Sequence, residues 1–300
     1  FDKQHRDESI PINVASLEHR EHTWASGVTV SGPLNDFYGG VSRLPEGWLN
    51  VEPQSIFDTR LNYESQTRVG YLSRDAAYYE NASPIYKFDP GAWADYDLTR
   101  ADTAHRVTAP MKFGDVLSVV PRAGYRCTYY SDTQLNSDVY RNSGELGVEA
   151  SVRGTSDWNN GIRHVVEPYL DYSYQPTDYD ANKNGKVYGF DRFDRSFEWA
   201  DQLGFDGVWL PYDWHGVRPG VRNLFQERDE NNVMRTILDW DVYAGVQFNS
   251  DGNLDEEGLR TAGTKILYSP TKKLDVKAQA DWDTEESTVA YADLSAFYKL

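Results

Sequence analysis

The sequence predicts an all-β fold of long antiparallel strands, on three observations. Polar and apolar residues alternate one for one over runs of about 10 to 14 residues. The chain is rich in aromatics, at 14%, yet polar in its mean hydropathy of −0.68, which suits many two-faced strands better than a thick helical core. No stretch shows the period of an amphipathic helix.

The runs follow in chain order. In TRLNYESQTRVGYL, from Thr59, Leu61, Tyr63, Val69 and Tyr71 share one face, with Arg60, Asn62, Glu64, Gln66 and Arg68 on the other. LSVVPRAGYRCTYY sets Leu117, Val119, Pro121, Ala123, Tyr125, Cys127 and Tyr129 against Ser118, Arg122, Gly124, Arg126 and Thr128. Leu146, Val148, Ala150 and Val152 then oppose Gly147, Glu149, Ser151 and Arg153. In Ile162 to Pro176, Val166, Pro168, Leu170, Tyr172 and Tyr174 oppose Glu167, Asp171, Ser173 and Gln175. From Thr236, Leu238, Trp240, Val242, Ala244, Val246 and Phe248 alternate with Asp239, Asp241, Tyr243, Gly245 and Gln247. LDVKAQADWD repeats the pattern, with Leu274, Val276, Ala278, Ala280 and Trp282 on one side. Turn-rich stretches separate the runs, giving about a dozen strands, no fixed-period repeat and no linker that splits the chain.

Two architectures fit. A soluble sandwich keeps its strands to about 5 to 6 residues, and the longer runs here favour a transmembrane β-barrel, whose strands need only ~9 to 11 alternating residues. No apolar run approaches the ~20 residues of a membrane helix. The acidic balance, 47 Asp+Glu against 30 Lys+Arg and a net charge of −17, argues against nucleic acid or an anionic membrane surface as the partner.

Few residues nominate chemistry. Cys127 is the only cysteine, so no disulfide framework or zinc-cysteine set forms within the chain, and it reads as a small filler of its strand. DANKNGKVYGFD, Asp180 to Asp191, spells most of a calcium-binding EF-hand loop but lacks flanking helices and reads as a polar hairpin loop. The histidines of EHREH, Glu18 to His22, read as a solvated charge cluster. Asn81 opens a glycosylation sequon by spelling alone. No catalytic group, cofactor site or metal site is expected.

Four segments carry a family likeness: RLPEGWLNVEPQSIFDTRLNYESQTRVGYL (Arg43 to Leu72), HRVTAPMKFGDVLSVVPRAGYRCTYYS (His105 to Ser131), GIRHVVEPYLDYSYQP (Gly161 to Pro176) and PGVRNLFQER (Pro219 to Arg228). In this order they resemble the barrel domain of the LptD family, the lipopolysaccharide-assembly proteins of the bacterial outer membrane also called organic solvent tolerance proteins. The resemblance implies a large antiparallel transmembrane β-barrel with a polar lumen and no enzymatic activity. It also implies lipopolysaccharide as cargo, a plug lipoprotein of the LptE type in the lumen, a periplasmic lipopolysaccharide bridge protein, and a lateral gate between the first and last strands. On this reading Arg122, Arg126, Glu167, Asp171, Asp239 and Asp241 face the lumen. Pro168, within the R-H-x-x-E-P segment, is expected to make a bulge or an interrupted ladder without ending its strand.

Residues 1–300 are expected to be part of the barrel domain, an incomplete segment whose jellyroll domain and terminal strands lie outside the chain. The competing readings are a general outer-membrane diffusion pore, and a soluble carbohydrate-binding sandwich with Trp24, Trp48, Trp158 and Trp214 as sugar platforms.

Overall fold

The computed structural model describes residues 12–33, 40–75, 96–132, 138–158, 161–178, 214–228, 233–248, 258–285 and 287–299. Asn81 and the loop from Asp180 to Asp191 lie outside them. Fifteen strands account for nearly all the regular structure there. They are β1 (Ile12–Arg20), β2 (Trp24–Pro33), β3 (Gly40–Ser55), β4 (Asn62–Asp75), β5 (Tyr96–Thr108), β6 (Met111–Phe113), β7 (Leu117–Tyr130) and β8 (Val139–Val152). The others are β9 (Gly154–Asp157), β10 (Ile162–Gln175), β11 (Trp214–Arg228), β12 (Met234–Gln247), β13 (Gly258–Tyr268), β14 (Leu274–Asp283) and β15 (Thr288–Tyr298).

The hydrogen-bonded order follows the chain, β1-β2-β3-β4-β5-β7-β8-β10-β11-β12-β13-β14-β15, with β6 paired to β7 and β9 to β10. Every strand in this order runs next to a chain neighbour, as hairpin closure favours. The described residues fall into two compact units. The first lies within Phe1–Val107, Gly124–Gly144 and Thr177–Ser196, and the second within Thr108–Ala123, Glu145–Pro176 and Phe197–Leu300.

Prolines mark where the ladders break. Proline has no N–H to donate, so a strand can hold one only where the adjoining ladder can spare a bond. β10 pairs with β11 in unbroken register from Ile162 to Gln175, with Pro168 opposite Val221. On its other edge β10 pairs with β9 up to Val166 and with β8 from Tyr169, so the ladder steps over Glu167 and Pro168 without a shift of register. Arg153, between β8 and β9, donates its N–H to the Val116 carbonyl at 3.0 Å instead. The β11–β12 ladder steps over residues 218 and 219 in the same way, at Pro219. In β3 the register shifts at Pro45, between Arg43 and Glu46, and at Pro53, between Val51 and Gln54.

Burial runs opposite to that of a soluble protein. Among the described residues, 17 buried side chains are polar or charged and seven are hydrophobic, while Leu17, Val69, Leu146, Leu170, Val242 and Leu294 are exposed. In water such a surface would forfeit the main driving force of folding. Covered by hydrocarbon, it is the expected outer face of a transmembrane strand.

In the second unit the exposed phase of β10 to β12 is bracketed by aromatics. Trp158, His164 and Phe225 cluster at one end, with the His164 and Phe225 rings stacked at 4.4 Å. Tyr172, Tyr174, His215 and Phe248 cluster at the other. Along β10 the two groups are about 27–33 Å apart at strand rise. At the 35–45° tilt of outer-membrane strands this spans a layer roughly 20–26 Å thick, close to the apolar band such strands present.

Candidate functional site: the buried polar faces

Strand alternation puts every second side chain of β7, β10, β11, β12, β13 and β14 on one polar face of the second unit. Direct cross-strand pairing builds two rows on it. One reads Glu167, Arg222, Asp241, Lys265, Gln279 and Asp293, so acidic and basic groups alternate over its first four members. Opposite charges facing across strands are favourable where like charges would repel. Arg222 lies 3.9 Å from Glu167.

The adjacent row reads Tyr169, Gly220, Tyr243, Gly263, Asp281 and Tyr291. Its glycines explain how the large side chains fit. Tyr169 lies over Gly220, where a Cβ would stand 2.4 Å from the tyrosine Cζ, and its hydroxyl donates to Asp241 on the next strand at 3.1 Å. Tyr243 lies over Gly263 in the same manner and donates to Asp281. Arg122 repeats the device from β7: a Cβ at Gly147 would stand 2.6 Å from its Cζ. Reaching across that gap, Arg122 donates to Glu145 at 2.9 Å and to Asp171 at 2.7 Å. Each span ties three successive strands of the face through one side chain.

Filling such a gap should be costly. Gly220→Val is expected to destabilise the folded chain by about 1–3 kcal/mol, the usual range for overpacking. Tyr169→Ala in the same background should recover part of that loss, which denaturant titration of both variants would measure.

The first unit has its own buried polar groups. Arg126 donates to Asp102 at 2.7 Å, and Thr128 donates to the same carboxylate oxygen at 2.6 Å. Glu46 lies 3.6 Å from both Arg43 and Arg100. Trp48 covers Gly27, where a Cβ would stand 2.8 Å from the indole.

Arg122 and Asp171 therefore meet directly. Glu167 and Asp241 share a row with Arg222 between them, and Asp239 lies on the same face of β12. Arg126 belongs to the other unit and to a different network. Sequence reasoning passed over Asp102, Glu145, Arg222, Lys265 and the glycines beneath the tyrosines. Tyr169 and Tyr243 carried a readable signal, since both stand in the polar phase of their strands. In the charge cluster at Glu18 to His22, His19 lies 3.1 Å from Glu21. Among the described residues, no three His, Cys, Asp or Glu side chains gather in a way that could hold a metal ion. Of the four tryptophans weighed as sugar platforms, Trp24 packs on His19, Trp48 covers Gly27, and Trp158 joins the aromatic cluster at Phe225. The Trp214 side chain lies outside the described residues.

The family model described as LPS transport system D matches residues 39–205, just over half of the chain. The chain belongs to the LptD family. It is an all-β protein of the bacterial outer membrane, in the class that serves lipopolysaccharide transport. The match includes the Arg43–Leu72, His105–Ser131 and Gly161–Pro176 segments, while Pro219–Arg228 lies beyond it. No curated protein matches the chain. Among solved structures, the beta domain of the Bordetella autotransporter BrkA aligns over 96% of this chain and 97% of its own, at 12% identity and a TM-score of 0.29. That likeness is too slight to add to the LptD assignment.

Proposed function

We propose that this LptD-family chain forms part of a barrel wall that guides lipopolysaccharide into the outer leaflet. The sugar headgroup passes along the polar faces while the acyl chains stay in the surrounding hydrocarbon and leave through a lateral gate. An amphiphile with a bulky sugar head cannot cross a bilayer unaided, because each polar group stripped of water in hydrocarbon costs several kcal/mol or about that. A hydrated wall of alternating charge removes that barrier without any bond being made or broken, so the role is that of a translocon and not of an enzyme. Arg122, Glu167, Asp171, Asp239 and Asp241 line this path in the second unit, and Arg126 lines the polar face of the first. A plug lipoprotein of the LptE type fills the lumen, and a periplasmic bridge protein delivers the cargo.

The observation that carries the reading is the row from Glu167 to Lys265 in a chain of this family, with apolar side chains on the opposite face. A photoreactive benzophenone side chain in place of Asp239, in the protein as cells make it, should crosslink to lipopolysaccharide or to the plug protein. The same group at Val242, on the hydrocarbon-facing phase, should not crosslink to the plug protein. Absence of both adducts at Asp239, with ion conductance by the purified protein alone, would point to a diffusion pore.

A further inference from the structure

A net charge of −17 makes any gathering of cations in this chain a local exception. Four of its ten lysines, Lys272, Lys273, Lys277 and Lys299, fall in the β13–β14 turn and the adjoining ends of β14 and β15. The chain-wide charge that disfavours adsorption to an anionic surface therefore does not describe this corner.

The corner is built and held. From β12, Arg235 donates to the Ser269 carbonyl at 3.0 Å and to the Pro270 carbonyl at 3.3 Å, fixing the first half of the turn. Thr271 Oγ1 accepts the N–H groups of Lys273 and Leu274 at 3.3 and 3.1 Å, fixing the second half. Lys272 and Lys273 project from this backbone and are exposed. Two nearby carboxylates have partners of their own. Asp275 accepts from Ser269 at 2.7 Å and lies 3.0 Å from Lys299, and Glu227 pairs with Arg235.

An aromatic and aliphatic surface adjoins the lysines. Lys273 Nζ sits 6.0 Å from the ring centre of Tyr298, which is 63% exposed, and Tyr268 is exposed on the same phase. Leu274 pairs with Tyr298, and Val276 with Ala296 and Tyr268, so an apolar strip runs from the turn along β13 to β15. Tyrosine rings at the end of an apolar face mark the headgroup level of a membrane. Lysines reaching past them place their charge among lipid phosphates while their stems cover apolar surface.

The side of the membrane follows from the connections. Within the second unit β8 to β10, β11 to β12 and β13 to β14 are joined at one end across residues 153–161, 229–233 and 269–273; at the other end β10 to β11, β12 to β13 and β14 to β15 are joined across 176–213, 248–257 and 284–287, the longer set taken together despite its short last turn. Outer-membrane barrels carry their short turns on the periplasmic side. We infer that Lys272 and Lys273, with Tyr298 and Tyr268 beneath them, form a binding site for the headgroup of an anionic glycerophospholipid in the periplasmic leaflet. The cations meet the phosphate and the strip meets the acyl chain, whereas a free anion would use the lysines alone. The inference rests on the membrane reading but not on the cargo.

Native mass spectrometry of the full chain in detergent, offered phosphatidylglycerol and phosphatidylcholine in equal amounts, tests it. Wild type should retain phosphatidylglycerol preferentially. Each basic residue near a membrane surface strengthens such binding about fivefold, so Lys272→Gln with Lys273→Gln should cut the preference by roughly 30-fold and either alone by about fivefold. Lys112→Gln, on β6, should leave it unchanged. A mobility difference between unheated and boiled samples on SDS gels confirms that the variants are folded. An equal preference in wild type and the double variant overturns the site, as does an equal loss with Lys112→Gln. Displacement of phosphatidylglycerol by millimolar inorganic phosphate overturns the lipid assignment. Retention of both lipids without preference would overturn the site and leave the membrane reading standing.

Discussion

Arg122→Leu is expected to destabilise the folded chain by about 3–5 kcal/mol, the cost of breaking a buried ion pair by removing one partner. Arg122 is held on three sides, by Glu145, by Asp171 and by the Tyr172 carbonyl at 3.4 Å. Its removal leaves two carboxylates, both almost wholly buried, with no cation between them. The loss should appear as a lower denaturant midpoint with little change in slope. Arg122→Lys should be intermediate, because an ammonium keeps the charge but cannot hold the two carboxylates from a planar fork. Replacing Arg122, Glu145 and Asp171 together by leucine should recover most of the stability, since a packed apolar substitute for a buried ionic group is often neutral or better. A triple variant as unstable as Arg122→Leu would mean that the network is not what holds β7, β8 and β10 in place.

Strand phase was legible because it needs only alternation. Leu238 to Phe248 against Asp239 to Gln247 reads the same in the sequence and in the structure, where Tyr243 and Gln247 are buried and Trp240, Val242 and Phe248 are exposed. The soluble sandwich was open on periodicity alone, because alternation does not say which face is covered. Burial of Arg100, Asp102, Glu145 and Asp171 beside exposed leucines and valines decides between them.

Partnership was not legible. Arg122 and Asp171 are 49 positions apart, and whether they meet depends on loop lengths and on the gap at Gly147, neither of which shows in a single strand. Nor does spacing tell the partners of Arg122 from those of Arg126. They share a strand and a phase, yet one serves β8 and β10 and the other serves Asp102 on β5. For Pro168 the expectation was a bulge or an interrupted ladder; which edge is affected was not legible, because the missing bond falls on whichever neighbour the register puts beside it. Here that neighbour is the joint between β8 and β9, and the β11 side is continuous.

The second large effect concerns the exposed faces. Val242 sits mid-strand in β12, flanked by Val221 and Thr264 on the neighbouring strands, and is 42% exposed. If hydrocarbon covers it, an arginine there must bring its charge to the middle of the bilayer, at a cost of about 2–4 kcal/mol that falls to roughly 0–1 near the interface. Tyr298, at the end of β15 beside Lys273, supplies the interfacial comparison. Salt should not rescue Val242→Arg, because the cost is one of desolvation and not of repulsion between charges. The most direct measurement is therefore the unfolding free energy of Val242→Arg and Tyr298→Arg in lipid vesicles. The account predicts a loss of about 2–4 kcal/mol for the first and no more than about 1 for the second. A change within about 0.5 kcal/mol for Val242→Arg, as for an ordinary water-facing site, would contradict it.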